Sequence, residues 1–145
     1  MDFRLKKRRA GHQGLNMGLY PGLYRADQPW EGRVFIAEDT FWFLEPGIKK
    51  HCTGCARYDH YGVTAITREE WLMILAEWEQ LRADLDAALL TTDLVILRQV
   101  MKETRRLFVS EFNRNKVKLA KMIGELIVWL SAELVSHNQV SVLGI

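Results

Sequence analysis

From Trp71 to Leu89 the apolar positions Trp71, Ile74, Leu75, Trp78, Leu81, Leu85 and Leu89 recur at steps of three and four. That spacing lays them on one face of an α-helix and leaves most acidic residues on the other. Two start signals precede it. Thr67 stands as N-cap with Glu70 at N3, a capping box, and Ile66 stands where it packs on Trp71 as a hydrophobic staple. The helix is expected to end near Leu90, ahead of Thr91, Thr92 and Asp93. The helical pattern then resumes through Leu94, Leu97, Met101, Thr104, Phe108 and Phe112 into Leu119, Ile123, Leu126, Leu130 and Leu134. One unbroken helix over residues 93–135 would be about 65 Å long at ~1.5 Å per residue. A domain of this size has a radius of gyration of roughly 15 Å. A break is therefore expected within Ser110 to Asn115, with Asn113 capping the helix that follows.

Ahead of the helices the pattern changes to aromatic and β-branched runs. "GLYPGLY" and "RVFIAEDTFWFLEP" predict a hairpin, with strands near Arg33 to Ile36 and Thr40 to Leu44 about Ala37, Glu38 and Asp39. The segment from Ile48 to Gly62, rich in glycine and short polar residues, reads as a loop, and the tail "NQVSVLGI" has strand composition and is expected to join the N-terminal sheet. Residues 1–17 are basic and aperiodic and read as a flexible arm, with Met17 an alternative start. The expected organisation is a flexible basic arm over 1–17 and a single α+β domain over 18–145. In that domain a small antiparallel sheet, from the hairpin and the C-terminal tail, packs on about three α-helices.

Composition agrees with a single autonomous domain: 145 residues, of which 48% are apolar, 10% aromatic and 26% charged. Apolar runs such as "LIVWL" fall far short of the roughly 20 residues that span a bilayer. The basic N-terminus is followed by Gly, His, Gln and Asn where a signal peptide would need an apolar stretch. Two cysteines without such a signal point to the reducing cytoplasm. The net charge of +2 is unevenly spread: residues 1–12 are basic, Thr67 to Asp93 holds seven acids against Arg68 and Arg82, and Leu94 to Met122 is basic again.

Candidate chemistry centres on "IKKHCTGCARYDHYG", Ile48 to Gly62. Cys52 and Cys55 have the spacing of half a zinc site, with His51 and His60 the nearest completions and no second Cys-x-x-Cys in the chain. A redox pair needs its thiols at a helix N-terminus, and the capped helix begins a dozen residues later. Two ordinary thiols in a packed loop is the simpler reading. Asp59, His60 and Tyr61 adjoin in sequence, and neighbours seldom share a catalytic geometry. No Gly-x-Ser-x-Gly motif supplies a nucleophile. Asp59 and His60 are expected to close the loop and satisfy backbone groups near the helix start. No catalytic residue, metal or cofactor is assigned, and an enzyme is not expected. The basic stretch from Arg98 to Lys121 has its charges spread round the helix, with no stacking platform or helix-turn-helix spacing, as for a solvated face. The acidic helix reads either as a solvated surface or, with seven acids in 27 residues, as a docking face for a basic protein.

Two segments, "DHYGVTAITREEWLMILAEW" from Asp59 to Trp78 and Asn113 to Ile145 at the C-terminus, carry a resemblance over about half the chain. The chain resembles a group of small bacterial proteins with an Asp-His-Tyr-Gly loop before a Trp-containing helix and a Leu-Gly near the end. Members of this group look like immunity proteins of contact-dependent growth inhibition and related polymorphic toxin systems. The Cys52 and Cys55 pair is not part of that pattern. The resemblance implies a cytoplasmic protein that binds one cognate toxin domain and occludes its active site. Toward a basic toxin the expected partner-binding residues are Tyr58, Asp59, His60, Tyr61, Glu69, Glu70, Glu77, Asp84 and Asp86. Toward an acidic one the rival patch is Arg98, Lys102, Arg105 and Arg106. A zinc or redox protein using Cys52 and Cys55, and a nucleic-acid-binding regulator using the basic helices, remain as alternatives.

Overall fold

A computed structural model describes residues 1–7, 15–27, 32–52 and 58–144. Among them the chain forms an α+β fold of four antiparallel strands and five α-helices. Strands β1 (Asn16–Pro21), β2 (Val34–Ala37), β3 (Val63–Thr67) and β4 (Gln139–Gly144) lie in the order β2-β1-β4-β3. The C-terminal tail is thus a central strand, as its composition suggested. Alternate residues of each strand point to one side. Met17, Leu19, Val34, Ile36, Ile66, Val140 and Val142 enter the main core against the helices. Tyr20, Phe35 and Leu143, between them in register, are buried outside that cluster.

The long helices cover the core side. Helix α3 (Arg68–Ala87) begins at Thr67, whose hydroxyl accepts from the Glu70 N–H while the Glu70 carboxylate accepts from the Thr67 N–H. The capping box read from the sequence is therefore present. Trp71, Ile74, Leu75, Trp78, Leu81 and Leu85 are buried, and Trp71 Nε1 donates to the Val140 carbonyl on the sheet at 3.1 Å. The helix ends a turn short of Leu90. Two 3-10 turns, Thr91–Asp93 and Val95–Arg98, replace the expected helix start at residue 93, and α4 occupies Lys102–Ser110.

The expected break falls at Glu111, where φ −132° and ψ 50° leave the helical region before α5 (Phe112–Ser136). Asn113 is not its cap, because it lies inside α5. The neighbouring Asn115 holds the joint instead: its buried amide donates to the Leu107 and Phe108 carbonyls and satisfies the end of α4.

Two expectations near the N-terminus are corrected. Thr40 to Leu44 is not a strand, and β2 pairs with β1 rather than with a following hairpin partner. The segment runs through α1 (Glu38–Phe41) and a turn into α2 (Glu45–His51). A short buried apolar run does not distinguish strand from helix by period. Here Glu38 and Asp39 suit a helix N-terminus, and Pro46 suits the first turn of α2. For the same reason Ile48 to His51, read as loop, is the end of α2.

The flexible arm expected over 1–17 is corrected at its end, where Asn16 and Met17 belong to β1, and residues 8–14 lie outside the described residues. Of the rest, residues 1–7 lie on the body. Met1, Phe3 and Leu5 pack against the core, the Thr40 hydroxyl donates to the Asp2 carbonyl, and Lys6 exchanges two backbone hydrogen bonds with Phe35 at the outer edge of β2. Asp2 pairs with Arg4 and Lys6, which together hold its carboxyl well below the usual range.

Candidate partner-binding site

The Asp59 to Gly62 turn is built by its own side chains. Asp59 Oδ1 accepts from the Tyr61 N–H at 3.0 Å, and its carbonyl accepts from the Gly62 N–H at 3.3 Å. The Asp59 N–H donates to the Thr64 hydroxyl at the start of β3. A Cβ at residue 62 would lie 2.5 Å from Asp59 Oδ2, which explains the glycine there. The Leu-Gly near the C-terminus meets this turn in space. A Cβ on Gly144 would lie 1.9 Å from the His60 carbonyl oxygen, and the Gly144 N–H donates to the Gly62 carbonyl at 3.0 Å. The two segments that carry the resemblance therefore form one joint, and each supplies a glycine where the backbones touch.

His60 points inward from the joint, 9% exposed. Its Nδ1 lies 2.6 Å from Glu45 Oε1, and its Nε2 lies 3.1 Å from Glu38 Oε1. Lys49 donates to the other oxygen of Glu45 at 2.8 Å. Both ring nitrogens of His60 thus face carboxylates, and Lys49 adds a cation to Glu45. Trp42 stacks on the ring with centroids 4.3 Å apart, and Tyr61 meets it edge-on at 4.6 Å. The geometry makes His60 a strut that ties the turn before β3 to α1 and α2. It does not cap backbone groups at the start of α3, as expected from sequence; only Asp59 works on local backbone. Tyr58 lies beside this cluster. Burial first, and then the Glu45 charge, raise its phenol, which stays protonated.

Cys52 is buried at the C-terminal end of α2, where its N–H donates to the Ile48 carbonyl. Burial, followed by the Glu70 charge, raises its thiol pKa, the reverse of an activated thiolate. Cys55 lies outside the described residues. Among those described, no three His, Cys, Asp or Glu side chains are grouped to hold a metal ion.

The remaining expected residues divide by their place on α3. At 3.6 residues per turn, Glu69, Met73, Ala76, Gln80 and Asp84 form one outward stripe, with Leu72 beside it. Glu69, Leu72, Met73, Asp84 and Asp86 are exposed. Leu72 is 58% and Met73 48% exposed. Among the described residues no cation pairs with Glu69, Asp84 or Asp86; Asp84 accepts only from Gln80. Glu70 and Glu77 sit on the opposite shoulder from Asp86 and are engaged. Glu70 closes the capping box, while Glu77 binds Lys50 and His51 on α2, which lower its pKa.

Comparison of the chain with protein-family models, curated proteins and solved structures returned no match. The site therefore stands on its own geometry.

Of the rival basic residues, Arg98, Lys102, Arg105 and Arg106 are all exposed, and Arg106 is paired with Glu103. A cleft of about 1330 Å³ opens between residues 1–6, the start of α1 and α5, with Asp2, Arg4, Glu38 and Lys121 among its mixed-charge walls. None of the expected partner-binding residues lines it. Sequence reading marked Gly144 only through the Leu-Gly of the resemblance, and it missed Glu38, Trp42 and Glu45. Their contacts with His60 cross 15 residues or more, and no local pattern marks them.

Proposed function

We propose that this protein binds and neutralises a cognate bacterial toxin domain in the cytoplasm, using the acidic outer face of α3 and the adjoining Asp59 to Val63 surface. The observation that carries this reading is the stripe of unneutralised carboxylates, Glu69 and Asp84 with Asp86 at its shoulder, on the helix face that also exposes Leu72 and Met73 near its start. A helix face that exposes apolar side chains beside unpaired acids suits a protein partner. The apolar side chains supply affinity, and the acids speed encounter with a basic domain and reject acidic ones. A basic nuclease-type toxin fits this charge. The Glu103 to Arg106 and Glu111 to Arg114 pairs, by contrast, neutralise part of α4 and the start of α5.

The test is co-expression with the C-terminal domain of a toxin encoded beside this chain. The wild-type protein is expected to restore growth and to copurify with the domain. The Glu69→Lys/Asp84→Lys variant is expected to lose both. Absence of rescue and of a complex with wild-type protein overturns the reading.

A further inference from the structure

We propose that the outer edge of β3 docks an extended basic segment of the partner as a fifth strand. This deepens the partner-binding reading above and rests on it.

The sheet ends in two unlike edges. At β2, the Lys6 N–H donates to the Phe35 carbonyl at 3.0 Å and the Phe35 N–H to the Lys6 carbonyl at 2.8 Å, so the backbone groups that face outward at Phe35 are paired. Strand β3 is the other terminal strand. Its ladder to β4 is bounded by the Gly144 N–H donating to the Gly62 carbonyl and the Arg68 N–H donating to the Asn138 carbonyl. In an antiparallel pair, alternate residues bond to the partner strand. Gly62, Thr64, Ile66 and Arg68 thus face β4, and Val63, Ala65 and Thr67 turn their N–H and C=O groups outward. The Thr67 N–H is taken by the Glu70 carboxylate at 3.0 Å, which closes that end. Val63 and Ala65 keep both outward groups open among the described residues. The rigid Asp59 to Gly62 turn opens the rail, where Tyr61 is 68% and Val63 53% exposed.

Charge selects the occupant. Exposed Asp59 precedes the rail, and exposed Glu69 with half-exposed Glu70 follows it. A second copy pairing antiparallel would lay the Asp59 end of one β3 beside the Glu69 end of the other, acid on acid. A partner strand that alternates Lys or Arg with apolar residues meets the acids with cations and Val63 with an apolar side chain. Main-chain bonds then supply affinity and side chains supply selection.

The test is amide hydrogen exchange by NMR on the full chain, with the peptide acetyl-KVKVKVK-amide and its counterpart with Glu in place of Lys as probes. In the free protein the Val63 and Ala65 amides should exchange at least tenfold faster than those of Thr64 and Ile66. The basic peptide should slow both at least tenfold, and the acidic peptide should leave them unchanged. Ala65→Pro removes an outward donor that an edge strand does not need for its own ladder, and it should abolish the effect at Val63. Should that variant not fold, two peptides N-methylated at their Val or at their Lys amides replace it on wild-type protein, and one of the two must lose binding. Equal exchange at all four amides in the free protein, equal response to both charges, undiminished binding to folded Ala65→Pro, or undiminished binding of both methylated peptides overturns the proposal. In the growth assay, rescue by wild type and equally by Ala65→Pro removes the β3 rail and leaves toxin binding standing. Failure of wild type to rescue removes toxin binding, and the exchange data still decide the rail.

Discussion

The inner side of the Asp59 to Gly62 joint and the outer face of α3 are both rich in charge, and they use it in opposite ways. At the joint, each ring nitrogen of His60 has a carboxylate, Glu45 has a cation in Lys49, and Trp42 covers the ring. On α3, Glu69, Asp84 and Asp86 face water with no cation paired to them among the described residues, and Leu72 and Met73 are exposed near Glu69. A buried polar or charged group without a partner is expensive, and at the joint Glu45 and both His60 nitrogens have one. Exposed charge costs little and remains available to another molecule. The difference separates residues that hold the fold from residues that present a surface, and mutation distinguishes the two.

The largest effect is expected at the joint. His60→Ala removes the ring that both carboxylates contact and leaves Glu45, 2% exposed, without its 2.6 Å partner. Leaving a buried polar group without its partner in this way costs about 1–3 kcal/mol, and the loss of packing under Trp42 adds to it. Urea unfolding monitored by tryptophan fluorescence measures it; a loss below about 1 kcal/mol would mean that the charges are solvated and the strut is not structural. Gly144→Ala follows, because its Cβ meets the rigid His60 carbonyl at 1.9 Å and forces β4 and the turn apart. Overpacking of this kind costs about 1–3 kcal/mol, read as a lowered thermal midpoint. A variant as stable as wild type would show that the two backbones do not meet there.

Glu77 lies between the two regimes, on α3 but bound to Lys50 and His51 of α2. With its side chain 36% exposed, solvent screens the interaction, and Glu77→Gln should cost less than about 1 kcal/mol at neutral pH. Its cations hold the folded-state pKa below the ordinary carboxylate value. The wild-type advantage is therefore complete above that ordinary range and fades as acid protonates Glu77 through its lower folded value. Parallel melts of wild type and Glu77→Gln from pH 7 downward should converge in acid. A gap that widens in acid reverses the sign and rejects the ion pair as its cause.

What was legible in the sequence was local. The α3 start is written in Ile66, Thr67, Glu70 and Trp71, which act on backbone only a turn away. The β4 composition was likewise readable from a few adjacent residues, whereas the interruption before α5 followed from the length an unbroken helix would reach, and its local cap signal at Asn113 did not hold. Thr40 to Leu44 was not, because five apolar and small residues fit either period and their burial, set by tertiary packing, decides. Nor was the joint: Glu45 and His60 are 15 residues apart, and Gly144 reaches the turn from the far end of the chain. The acidic surface was partly legible. Glu69, Asp84 and Asp86 are where a helical wheel puts them, and Glu70 had two readings in sequence, cap and contact, of which the fold places it in the cap. The engagement of Glu77 depends on α2, a helix the sequence reading did not contain.

The smallest stability effect is expected on the outer face, and there it is most informative. Glu69→Lys/Asp84→Lys changes two side chains that make no ionic contact among the described residues, so unfolding should shift by no more than about 0.5 kcal/mol. Glu69 lies in the first turn of α3, where an anion suits the helix dipole, and the larger part of that shift belongs to it. If the face binds a basic partner, the same variant abolishes binding while its thermal melt overlays wild type. His60→Ala would lower binding only in proportion to the folded fraction, and its binding should recover at a lower temperature. A double-lysine variant that melts like wild type and still binds fully would move the partner to the Arg98, Lys102 and Arg105 side of the molecule and leave the acidic face as a solvated surface.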